Sequence, residues 1–95
     1  MTTVFVNHRV ADYKTWRPEY DRVMKEEWSK DIRSHQVWRG LDDPNFLIVA
    51  TTYDSREAAE RLMNNPSLGA AMERGGVIQS SVRIDYVDEI AGGKR

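Results

Sequence analysis

The sequence predicts an α+β domain in which a four-stranded antiparallel sheet carries its helices on one face. Two observations carry this expectation. Apolar residues alternate with a period of two in four stretches, and between the first and second of these, and again between the third and fourth, they recur at helical spacing. A third observation concerns assembly: NFLIVATTY, residues 45–53, is largely apolar on both of its faces, Phe46, Ile48 and Ala50 on one and Leu47, Val49 and Tyr53 on the other, whereas a sheet with one wet face alternates cleanly with polar residues.

Residues 3–10 read as the first strand, with Val4, Val6, His8 and Val10 on one face and Phe5, Asn7 and Arg9 on the other. Asp12 is placed to cap a helix in which Tyr13, Trp16, Tyr20, Val23, Met24 and Trp28 recur at helical spacing to about Ser29. Pro18 lies too deep for a first turn and removes a backbone donor, which predicts a kink or a 3₁₀ opening over residues 13–17. Residues 34–41 (SHQVWRGL) and 45–53 form an antiparallel hairpin, turned by Asp42-Asp43-Pro44-Asn45, where Asx side chains fold back on the backbone and proline presets its own φ.

Asp54, with Glu57 three positions on, makes a capping box for a helix whose inner stripe is Ala58, Ala59, Leu62 and Met63. Asn65-Pro66 ends that helix and starts another, which carries Leu68, Ala71 and Met72 and stops at Gly75-Gly76. Residues 77–87 form the last strand. The order β-α-β-β-α-β is the split βαβ pattern of a ferredoxin-like domain, expected over residues 1–90 with a frayed tail at 91–95. Two helical segments cover only one face of such a sheet. The other apolar face then needs a partner, and two sheets packed face to face close a barrel with the helices outside, so a homodimer is expected.

Composition narrows the function. A chain of 95 residues buries only about 60–65% of its unfolded surface, and oligomerisation would add to that. The net charge is −1 with Lys and Arg scattered along the chain, which argues against nucleic acid or an anionic membrane as partner and for a neutral, small ligand or another copy of the chain. The absence of cysteine excludes disulfides, zinc-thiolate sites, iron–sulfur clusters and thiol nucleophiles. No window approaches the roughly 18 apolar residues of a membrane span, and a cytoplasmic location is expected. Gly75-Gly76 reads as a helix stop, and GAAMERGG lacks the preceding strand of a dinucleotide site. No flavin, nicotinamide or metal cofactor is indicated.

Four segments taken in order, HRVADYKTWRPEYD after the first strand, RGLDDPNF at the hairpin, YDSREAAERLMNNPSL across the broken helix and ERGGV at its exit, resemble the dimeric α+β barrel superfamily. Within it they are similar to the short antibiotic-biosynthesis-monooxygenase-like and cyclase-like proteins. The resemblance covers residues 4–87. It implies a dimeric barrel and a choice among cofactor-independent oxygenation of electron-rich aromatics, polyketide cyclisation, haem degradation and non-catalytic roles. Haem-degrading members carry an asparagine on the first strand, a tryptophan before the helix break and a histidine after it; the matching positions here are Val6, Leu62 and Met72. The tyrosine–histidine pair of the plant polyketide cyclase falls at Leu62 and Leu68. Neither set is present, so any catalysis uses other residues.

His8 is the first candidate catalytic residue, since an imidazole on a valine-lined face opposite Trp16 and Tyr20 can take a proton from a phenol or an enolisable carbonyl near neutral pH. Its alternative is a buried structural histidine or one at the dimer seam. Tyr53 is read as a phenol donor to a substrate oxygen or as a buried tyrosine with one partner. Arg39 is read as the holder of a carboxylate or enolate, or as an inter-subunit partner of Asp85 or Glu89. Trp38 and Arg39 point to opposite faces, and register decides which enters the pocket. Trp16, Tyr20, Met24 and Trp28, facing Met63, Leu68 and Met72, could line a cavity for a flat aromatic ligand or could be ordinary core. His35 is expected at an exposed strand end. The leading expectation is a cofactor-independent monooxygenase- or cyclase-like enzyme; the alternative is a non-catalytic dimeric barrel serving in small-molecule binding or stress.

Overall fold

The computed structural model describes residues 1–95. Strand β1 (Thr2–Arg9) leads through helix α1 (Tyr13–Val23) to strands β2 (Ser34–Arg39) and β3 (Phe46–Tyr53), then to helices α2 (Arg56–Met63) and α3 (Pro66–Arg74) and strand β4 (Arg83–Val87). The four strands form one antiparallel sheet in the order β2-β3-β1-β4. This is the ferredoxin-like arrangement the element order predicts.

Local chemistry sets the element ends. The Asp12 carboxylate accepts from the Lys14 N–H at 3.0 Å and opens α1, and Asn65 accepts from the Ser67 N–H at 2.9 Å ahead of Pro66 at the start of α3. Helix α1 differs from expectation twice. Its α-helical backbone starts at Tyr13 and continues across Pro18, with no 3₁₀ opening. It also ends at Val23, because the Ser29 hydroxyl donates to the Val23 carbonyl at 2.6 Å and the chain turns into a 3₁₀ turn at Glu27–Ser29. Trp28 therefore sits beyond the helix.

The cap of α2 is Ser55, whose hydroxyl accepts from the Ala58 N–H at 3.1 Å; Asp54 instead holds the Arg33 guanidinium at 2.6 Å. In the hairpin the Asp43 carboxylate accepts from the Asn45 N–H at 3.0 Å. The same turn needs glycine at 40, where a Cβ would lie 2.7 Å from the Asp43 carbonyl oxygen. Gly76 leaves α3 at φ +77, a conformation open to glycine. The predicted strand over 77–87 is shorter at its start. Val77 bridges Val10 alone, and a 3₁₀ turn at Gln79–Ser81 follows, closed by the Ser81 hydroxyl on the Ile78 carbonyl at 2.6 Å.

Register settles the faces. His8 pairs with Leu47, Val6 with Val49 and Ile84, and Val37 with Val49, so these side chains share the helix-covered side. Two buried clusters fill it. Val4 and Tyr53 pack with Ala58, Ala59 and Leu62, while Leu47, Val49, Val10 and Val77 pack with Trp16. The other side carries Phe5, Asn7, Trp38, Ile48 and Ala50. No residue of that side belongs to either cluster. There Phe5 stacks with Trp38 at 6.4 Å, and Ala50, opposite Phe5 in the register, is 2% exposed although no helix covers it.

Candidate functional site

Between α1, α3 and the sheet lies a cavity of about 290 Å³. Strand alternation brings Val6 and His8 of β1 and Val49, Thr51 and Tyr53 of β3 to its floor. Helical spacing on α1 supplies Trp16, Glu19, Tyr20 and Val23, followed by Met24; the broken second helix supplies Leu62 and Met63, then Leu68, Ala71 and Met72. The wall is mostly apolar, and its flexible methionines suit a ligand of irregular outline.

His8 is 3% exposed, and its Nδ1 is buried without a hydrogen-bond partner. Burial lowers its pKa below the usual 6.5, against a smaller opposing effect of hydrogen bonding between the ring and the Leu47 backbone, so the imidazole is neutral at neutral pH. Its ring meets Trp16 edge-on at 6.0 Å, and Trp16 stacks on Tyr20 at 4.8 Å. A continuous aromatic wall runs from the floor toward the rim.

Tyr53 is fully buried, and its oxygen accepts a hydrogen bond from the Thr51 hydroxyl at 3.0 Å. Burial pushes its phenol up to about 12. The Glu19 carboxylate at the wall is held below the ordinary carboxylate range chiefly by its hydrogen bond to Arg22, with Arg74 adding to it. Tyr20, whose phenol burial also raises to about 12, hydrogen-bonds Nδ1 of His35 at 2.7 Å.

Of the candidates read from sequence, His8, Tyr53, Trp16, Tyr20, Met24, Met63, Leu68 and Met72 come together in the cavity wall. Three do not. Arg39 faces the helix side but lies 5.0 Å over the Tyr13 ring, and Asp85, one partner considered for it, is held by Arg83. Trp28 packs against the cluster around Val4 and Tyr53. Trp38 is on the uncovered side. Sequence reasoning left out Thr51, Glu19 and Gln79, all of which line the cavity. Thr51 shares parity with Tyr53 and could have been read from alternation; Gln79 reaches the wall through a 3₁₀ turn that has no sequence period. No cluster of three or more His, Asp or Glu side chains is assembled to hold a metal ion, and no helix is long and apolar enough to cross a membrane.

Comparison with solved structures locates this architecture. An antibiotic biosynthesis monooxygenase superposes with a TM-score of 0.74 at 10% identity, over 96% of this chain and 100% of its own. The fold is that of the antibiotic biosynthesis monooxygenases. A proposed antibiotic biosynthesis monooxygenase from Caulobacter crescentus CB15 superposes at 0.73 with 15% identity, over 95% of this chain and 90% of its own. SnoaB from Streptomyces nogalater, a cofactor-independent oxygenase solved as a point mutant, does so at 0.65 with 13% identity, over 98% and 95%. By sequence, no protein-family model and no curated protein matches the chain. Identities this low carry the fold; the chemistry must be argued from the cavity.

Proposed function

We propose that the protein is a cofactor-independent, monooxygenase- or cyclase-like enzyme acting on a small hydrophobic substrate, aromatic or polyketide-like, held between helices and sheet. The observation that carries this reading is the neutral, buried His8 with an unpartnered Nδ1 in the wall of an apolar cavity. Such an imidazole, neutral and withdrawn from solvent, suits a general base for a ligand that reaches its ring. It would take a proton from an acidic phenol or an activated C–H, and oxygenation then needs the resulting anion to reduce dioxygen itself. Tyr53 accepts from Thr51 and keeps its own proton uncommitted, which suits a donor to the developing oxyanion. Arg39, outside the cavity, has no part in this scheme.

The same reading makes the protein a homodimer joined through the uncovered sheet side, where Phe5, Trp38 and Ile48 offer apolar surface and the buried Asn7 Oδ1 has no partner. A partner copy would cover the first and could satisfy the second.

The test is an NMR titration of the His8 ring with a panel of polyphenols and quinols, using His35→Gln to assign the signals, together with oxygen uptake. Movement of the His8 resonances, with turnover lost in His8→Gln, is the expected result. Panel members that bind while His8 stays silent would sink the enzymatic reading. Ligand binding without chemistry is the competing role, favoured by the complete burial of Tyr53; saturable binding with no turnover of any member would decide for it.

A further inference from the structure

His8 accounts for one end of the aromatic wall and leaves the other unexplained. Tyr20 lies one helical turn after Trp16, forms part of the cavity wall, and makes its single hydrogen bond away from α1, to His35 on β2. The O···N distance is 2.7 Å and the rings meet at 62° with centroids 5.6 Å apart. His35 itself is exposed and stands opposite Thr51 in the register. A cavity-lining phenol is thus wired to a solvent-facing imidazole. His8, at 3% exposure, has no comparable outlet.

We propose that Tyr20 and His35 form a proton relay between the cavity and solvent, through which an acidic phenol bound in the cavity loses its proton. This rests on the cavity binding an aromatic acid, and within the proposed function it assigns the phenol O–H proton to the Tyr20–His35 pair, leaving His8 as the base for an activated C–H. Burial keeps the Tyr20 phenol protonated at neutral pH, and the relay uses the His35 tautomer with its ring proton on Nε2, in which the Tyr20 hydroxyl donates and Nδ1 accepts. In the relay the ligand O–H proton passes to the Tyr20 oxygen while Tyr20's own proton passes to Nδ1. The ligand becomes a phenolate and His35 an imidazolium, which returns a proton to water. No tyrosinate forms. The charged and titratable groups bearing on Tyr20 are Arg17 and Asp21 on its own helix and Tyr53 from β3; Arg17 is already engaged by Asp21 and Tyr13.

The probe is 4-nitrophenol, whose visible absorption separates phenol from phenolate, followed in time after a pH jump in its bound form to wild type, Tyr20→Phe, His35→Gln, His8→Gln and the Tyr20/His35 double variant. His35→Gln sits on the surface and keeps a hydrogen-bonding group for Tyr20, so the fold is not at stake. Expected is formation of bound phenolate about tenfold slower in either relay variant than in wild type, with the double variant no slower still because the two residues act as one unit. An unchanged rate in both relay variants, with only His8→Gln slowing it, would overturn the relay and leave the cavity reading standing. Failure of 4-nitrophenol to bind wild type would overturn both.

Discussion

On the helix side of the sheet Val4, Leu47 and Tyr53 are withdrawn from solvent completely, while on the opposite side Trp38 keeps 50% of its surface exposed. The same strands supply both sides, residue by residue in alternation, so propensity cannot be the cause. What differs is the presence of helices. Each side also holds one buried polar atom without a partner: His8 Nδ1 toward the helices and Asn7 Oδ1 away from them. Buried polar groups are nearly always paired, and an orphan marks where something is still to arrive. The difference is that one side is covered and encloses a cavity, while the other leaves an apolar surface uncovered.

The largest effect expected from this contrast is on the covered side. Leu47→Ala removes a fully buried side chain that does not line the cavity and should cost about 2–5 kcal/mol in urea unfolding. Trp38→Asp, on the bare side, should change monomer stability by less than about 1 kcal/mol. If two copies join through this side as proposed, its effect should fall on association, weakening it by about a hundredfold, roughly 2.7 kcal/mol, in sedimentation. A Trp38→Asp protein that sediments like wild type would remove the bare face as the dimer surface.

This contrast was half legible in the sequence. Alternation in NFLIVATTY and in the first strand assigned Leu47, Val49 and Tyr53 to one side and Phe46, Ile48 and Ala50 to the other, as the register has them, because a period of two leaves no freedom once a strand is recognised. Helix ends were less legible. Asp54 and Ser55 are both good caps, and only the distant Arg33, which holds Asp54, separates them. Trp28 kept helical spacing past the point where the Ser29 hydroxyl captures the Val23 carbonyl, so periodicity carried it into a helix that had already ended. Within the site, Tyr20 and His35 were each visible, but their pairing joins residues 15 apart on two elements, and no one-dimensional pattern encodes it.

A smaller effect concerns the orphan on the helix side. Burial lowers the His8 pKa below 6.5, so between the folded and unfolded values the unfolded chain binds more protons, and stability rises with pH. Its full contribution is present above about pH 6.5 and is lost as the pH falls toward the folded value. The difference in unfolding free energy between wild type and His8→Gln should therefore change with pH in this window. Asp43, Asp54 and Glu19, whose pKa values are lowered, lose their contributions only as the pH falls below the carboxylate range, and they cancel in the comparison. A flat difference would mean that the imidazole is as well solvated folded as unfolded.

The smallest effect carries the most information about the other orphan. Leaving a buried carbonyl oxygen unpaired costs about 1–3 kcal/mol, and an apolar residue of similar size removes that cost. Asn7→Val should therefore stabilise the isolated chain by about 1 kcal/mol, read by urea unfolding at concentrations low enough to keep it monomeric. If a second copy donates to Oδ1 across the bare face, the same substitution removes a bond that only the dimer makes, and association should weaken while the monomer gains. Opposite signs in the two measurements would place Asn7 at the seam between copies. A gain in both would mean that the dimer buries Asn7 as unsatisfied as the single chain does, leaving Phe5 and Trp38 to hold the face by apolar contact alone.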